Sequence, residues 1–421
     1  MRKTKLFALL AAFILLLTMF STGAAAAPVT LKWAMWDLDL TIYYRPLIEA
    51  YAAKNPNVTI ECIDLASADF MTLLSIQLSG GADFDVLTMK DMPGYANLVR
   101  QNFLEPLNGY IASAGLDTSI FGGLVEQLAV SGEVYQLPFR SDFWIIYYNK
   151  DLFDAAGVAY PTNDMTLAQY DALARKMTSG SGPSKIYGAH YHTWRSPTQL
   201  LGILDGKHTV VDGTYDFLKP TYEYVLSQQK DGIVQDYATL RTTSTHYSGV
   251  FFNNQIAMMN MGSWFVPTQI ARVKTGESLA KNWGIVKYPH PEGVPAGTTL
   301  GTLTGAAVSS NSKNKAAAFD FVKFISGPEG ATVMAKLGQF PAVKDESVLA
   351  IIASTDGFPQ DENSREALRT AQVYLEMPLH EKSADIEVIL NEAHHSIMTN
   401  DVTIDEGIKE MNTRVQALLK K

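Results

Sequence analysis

The chain has 421 residues and a formal charge of −9, enough length for two domains with real cores. Its acidic balance argues against nucleic acid, an anionic membrane surface or a polyanionic ligand as partner. A single cysteine excludes an intramolecular disulfide.

The N-terminus reads as an export signal. Arg2, Lys3 and Lys5 precede a nearly unbroken apolar run over 6–19, and small residues over 23–27 suit cleavage just before Pro28. The run is short for a bilayer-spanning helix. A lipid anchor would need a cysteine directly after it, whereas Cys62 lies far along the mature chain, in the alternating stretch 58–63 that predicts a strand and a buried thiol. The expected location is therefore the periplasm, with residues 1–27 removed.

From Val29 onward short apolar runs alternate with longer amphipathic ones, the rhythm of parallel sheets covered by helices. Strands are predicted over 31–36, 58–63 and 85–89, and helices over 44–54 and 70–78, the first stopped by Asn55-Pro56 and the second by Gly80-Gly81. The aromatic run FWIIYY at 143–148 predicts a further strand, followed by a helix from 149 to Gly157. Helices are also expected over 166–177, 315–325 and 329–337, with 365–421 mostly helical around Pro378 and a turn at 399–401. The segment IYGAHYHTWR at 186–195 begins as a strand and breaks before Pro197. There is no internal repeat and no Gly/Ser linker, so two lobes would be joined by chain crossings.

The motifs resemble the extracellular solute-binding proteins of cluster one, the maltose- and oligosaccharide-binding relatives. GEVYQLP at 132–138, YYNKDLF at 147–153, AGV at 156–158, Pro161 and TLAQY at 166–170 carry the resemblance most specifically. LSGGADFD at 78–85, FNNQIAM at 252–258, MGSW at 261–264, NSKNK at 311–315 and GQFPA at 338–342 follow in family order. Two departures stand out: GADFD at 81–85 where the family has G-x-x-P-D, and Gly262-Ser263-Trp264 where it has G-P-W. The resemblance implies an α/β, two-lobed periplasmic-binding-protein fold of type II, with three crossings near 140–142, 300–304 and 326–330. Lobe I would comprise 28–141 and 302–327, and lobe II 142–301 and 328–421. It further implies a monomer that closes on a carbohydrate between the lobes, delivers it to an ABC permease in the membrane, and uses no cofactor.

A sugar offers hydroxyls around a ring and apolar C–H patches on its faces, so its site needs aromatic planes, carboxylates, amides or arginine. Ligands of open α/β sheets gather at carboxyl ends of strands. Trp36, Asp37 and Asp39 follow the first strand and Asp91 the third, although aspartate is also a favoured helix N-cap. Arg140 and Asp142 stand at the first crossing, where they either bind ligand or pair with each other. Tyr191, His192, Trp194 and Arg195 cluster at the break after 186–190. The resemblance makes Trp264 the stacking aromatic. Arg140 and Arg195 leave a sugar acid or a phosphorylated polyol open as ligand. His190 and His192 lack the further ligands of a metal site, and His394-His395 reads as a solvated pair. The enzymatic alternative is a glycosidase built on carboxylates such as Asp37 and Asp142, but no G-x-S-x-G, P-loop or Rossmann glycine pattern is present.

Overall fold

The computed structural model describes residues 27–39, 41–66, 69–343 and 345–420. Residues 1–26 of the expected leader lie outside them. Among the described residues there are eight strands: β1 Val29–Trp36, β2 Val58–Leu65, β3 Val86–Met89, β4 Leu137–Asn149, β5 Met258–Gly262, β6 Trp283–Lys287, β7 Thr298–Val308 and β8 Gln372–Leu375. They form one mixed sheet in the order β2-β1-β3-β7-β4-β5, with β6 also on β4 and β8 also on β7. β1 is parallel to β2 and β3. The helices Tyr44–Lys54 and Phe70–Ser79 make the two crossovers, because parallel neighbours need a long return connection. Asn55 and Gly80 cap them where the sequence places stops.

The 13-residue β4 carries the chain from lobe to lobe. Residues 137–143 pair with β7, and 144–149 pair with β5 and β6. Strand side chains alternate between faces. Phe143, Ile145 and Tyr147 therefore join the core that begins at Leu31, Trp33 and Phe321, while Trp144, Ile146 and Tyr148 join a second core with Tyr170, Tyr222 and Leu390. Burial on both faces explains the unbroken apolar run of this strand. β7 makes the return passage: it is antiparallel to β3 over 305–308 and to β4 over 301–306, and parallel to β8 over 298–301.

The break at Gly327-Pro328 is a turn between two helices that both contact Tyr44–Lys54. The helix Pro328–Lys336 packs against Tyr44–Lys54 and is tied to it by the Lys54–Glu329 ion pair. The chain runs alongside β4 only at 339–342, where the Ser141 amide donates to the Phe340 carbonyl at 3.0 Å and the Ala342 amide to the Phe139 carbonyl at 3.0 Å.

Three local expectations change. The stretch 365–421 contains β8 ahead of the helices Ser383–Met398 and Ile404–Leu419; QVYL is too short for its alternation to show. Residues 186–190 form only isolated bridges, Ser179 to Ile186 and Tyr187 to Ile256. His394 is buried in the second core, its Nδ1 3.1 Å from the Tyr222 hydroxyl, so only His395 of that pair is exposed.

Candidate functional site

β3 and β8 run toward each other along the same edge of β7 and stop short, so 302–304 has no strand on that edge among the described residues. Two carboxyl ends of strands thus meet at one gap, the topology that opens a crevice in α/β sheets. Lys90 and Asp91 follow β3, and Glu376 follows β8. With Arg195, Thr302 and Glu387 they line a compartment of about 400 Å³ that both lobes contribute to.

A second compartment of about 430 Å³ lies in front, lined by Trp36, Tyr43 and Arg140 on one side and by Trp264, Arg272 and Gln339 on the other. Two contacts join the compartments. The Lys90 ammonium stands 5.4 Å from the Trp36 ring centre. Trp144 meets Trp264 edge-on at 5.5 Å while its indole N–H donates to Glu376.

The far wall is aromatic. Trp264 also contacts Trp194, at 6.2 Å between ring centres, and Trp194 packs on Tyr247 at 5.7 Å and His192 at 4.6 Å. Trp194 keeps 40% of its surface exposed, which a buried structural tryptophan does not do. Gly262 makes the wall fit: a Cβ there would lie 1.9 Å from the Trp264 ring. Ser263, standing where the family pattern has proline, donates its amide to the Phe143 carbonyl at 2.8 Å and its hydroxyl to Asp142 at 2.7 Å. Proline offers neither donor.

The charged groups are heavily paired. Arg140 Nη2 meets Asp142 Oδ2 at 2.6 Å, and the guanidinium lies 5.9 Å from the Tyr43 ring centre. Burial pushes the Asp142 carboxyl up, against Arg140 and Ser263, which hold it down. Arg195 is buried, and its fork lies on Glu387, with Nε 2.9 Å from Oε1 and Nη2 on Oε2. Glu376 accepts from Trp144 on one oxygen and from the Ser196 hydroxyl at 3.2 Å on the other. Burial raises its pKa, opposed by Trp144, Arg195 and Ser196.

Of the residues singled out from sequence, Trp36, Arg140 and Trp264 line the front compartment, and Asp91 and Arg195 the floor. Trp194 adjoins Trp264, and His192 lies half-buried against Trp194. Asp91 also caps its helix, accepting from the Gly94 amide at 2.7 Å. Asp142 sits beneath the site with both oxygens engaged. Three others lie apart from the two compartments: Tyr191 is buried in the second core, Asp39 is exposed and pairs with Arg45 at 2.7 Å, and Asp37 lines neither compartment. Asp37 occupies the turn after β1 with φ at 49°. Sequence reasoning missed Tyr43, Tyr247, Glu376 and Glu387; only Tyr43 carried a signal, its nearness to the end of β1. Among the described residues no group of three or more His, Cys, Asp or Glu is arranged to hold a metal ion.

The model for the bacterial extracellular solute-binding protein family matches residues 39–332. A crystal structure of a sugar transporter from Rhizobium etli, in an open conformation, is 59% identical and superposes with a TM-score of 0.87, covering 92% of this chain and 99% of that one. A substrate-binding protein of an ABC system from Listeria monocytogenes, in complex with cycloalternan, shares the two-lobed fold at 20% identity and a TM-score of 0.78, covering 93% of this chain and 99% of that one. A mannitol-binding protein of Pseudomonas aeruginosa is 30% identical over 198 residues, 47% of this chain and 44% of that one. The chain belongs to the family of bacterial extracellular solute-binding proteins.

Proposed function

We propose that the protein captures a carbohydrate between its lobes and delivers it, by hinge closure, to the permease of an ABC importer. The observation that carries this reading is the cleft itself. Aromatic side chains, Trp36 and Trp264 lining one compartment with the exposed Trp194 against Trp264, stand beside the carboxylates Asp91 and Glu376 of the other. Sugar faces stack on the first set and sugar hydroxyls donate to the second. The mannitol-binding relative and the sugar transporter support the ligand class.

A ligand that touches both lobes favours the closed state only by its extra affinity for that state. We place lobe I at 28–141 and 302–337 and lobe II at 142–301 and 338–421, with passages along β4, β7 and 338–343. The protein acts as a monomer in the periplasm after loss of residues 1–27, and it turns nothing over. Asp142, which a glycosidase reading would use, already has each oxygen bound to Arg140 or Ser263.

A thermal-shift screen of the mature protein tests the reading. The panel is mannitol, lactose, maltose and other neutral sugars, with sugar acids, amino acids and polyamines. A ligand at about 100 times its Kd stabilises the fold by roughly 2.7 kcal/mol. A raised Tm with a carbohydrate supports the proposal, and a response confined to amino acids or polyamines refutes it.

A further inference from the structure

We infer that the cleft selects uncharged polyhydroxy ligands and rejects their carboxylated or phosphorylated counterparts, because every arginine lining it is already held by a carboxylate of the same chain. This rests on the carbohydrate reading and narrows it. Among the described residues the two compartments are bordered by three arginines. Arg195 is forked on Glu387, Arg140 is paired with Asp142, and Arg272 is paired with Glu277. Bidentate arginine is the usual device for recognising a carboxylate or phosphate. Here Arg195 is occupied through two nitrogens before any ligand arrives, and Arg140 and Arg272 are each held through one.

The remaining charge in the floor works against an anion. Lys90 stands over Trp36, but Asp91 follows it in the chain, and Glu376 and Glu387 line the same 400 Å³ from the opposite lobe. An entering phosphate would shed hydration and approach Asp91 and Glu376 beside the already paired Arg195 and Glu387, a cost that rises as the cleft closes and its dielectric falls. A neutral polyol reverses the fit. Each Glu376 oxygen accepts one protein donor, and one Asp91 oxygen caps Gly94. Carboxylate oxygens can accept more than one donor, so hydroxyls have acceptors waiting for them. Rejection by unfavourable placement of like charge is a standard route to specificity.

The test is calorimetric titration of the full mature chain with matched pairs: mannitol against mannitol 1-phosphate, and lactose against lactobionate. The wild type binds the uncharged partner at least about 100-fold more tightly than the charged one. Glu387→Gln releases Arg195 into the floor, and the charged partner then gains at least about tenfold in affinity over wild type. Asp142→Asn, which keeps the acceptor for Ser263, makes the same test at Arg140 if the first variant does not fold. An anion bound by wild type within about tenfold of its neutral partner overturns the inference while the carbohydrate reading stands. Folded variants with an unchanged charged-to-neutral ratio also overturn it. If no uncharged compound of the whole panel binds, the carbohydrate reading falls and the inference with it.

Discussion

Gly262→Ala disturbs the aromatic wall without removing an atom from it. The new Cβ would lie 1.9 Å from one Trp264 ring carbon and 2.2 Å from two others. Non-bonded carbons settle at about 3.5–4.0 Å, so the indole must shift by roughly 1.5–2 Å. Gly262 does not have positive φ, so its backbone accepts alanine and the ring is what yields. Losing the edge-on contact with Trp144 costs about 0.5–1.5 kcal/mol, within the roughly 1–3 kcal/mol typical of overpacking. A misplaced stacking plane weakens carbohydrate binding by about 1–2 kcal/mol, roughly 5- to 30-fold. Calorimetric titration with the ligand found by thermal shift, beside urea denaturation, measures both. The control is the double variant: once Trp264→Ala has removed the ring, adding Gly262→Ala has little left to displace. Wild-type affinity in Gly262→Ala, or a cost that persists undiminished without the ring, refutes the reasoning.

Three other perturbations probe different parts of the structure. Asp142→Ala leaves Arg140 buried without its carboxylate and is expected to cost about 3–5 kcal/mol in urea unfolding; a loss below about 1 kcal/mol contradicts the pairing. Burial, with neighbouring cationic and histidine groups, lowers His190 and His394 to about 3 and His192 to about 4 from an ordinary 6.5. These folded-state values lie below the unfolded one, so the unfolded chain binds more protons between them. Stability is complete above pH 6.5 and is lost as pH falls toward 3–4. His394→Gln makes that slope shallower by about 1.4 kcal/mol per pH unit, and an unchanged slope in Tm against pH would show that His394 is not the buried base described. Cys62 is half-buried on β2, and burial raises its thiol pKa. Iodoacetamide at neutral pH should modify it more slowly than free cysteine and faster in urea; equal rates in the native state count against its placement.

What the sequence showed, and what it hid, follows from the range of each interaction. Local chemistry was legible. The helix ending at Gly157, the helix starting at Thr166 and the strand over the apolar run 143–148 all stand where the pattern puts them. Trp36 and Trp264 were found because a strand end and a motif marked them. Glu376 stayed hidden because β8 has four residues and draws its meaning from β7, more than 60 positions earlier. Glu387 lies within a helix, and only the fold brings it to Arg195, 192 residues away in sequence. Glycine and proline at 327–328 mark a helix break, but what the next helix packs on is decided by contacts with Tyr44–Lys54, distant in sequence.

Whether a carbohydrate draws the two lobes together is read by small-angle X-ray scattering of the mature protein. The radius of gyration is expected to be smaller at saturating carbohydrate than without it, and not to change in a Trp264→Ala protein that no longer binds. A radius unchanged by a ligand that calorimetry shows to be bound would contradict that closure.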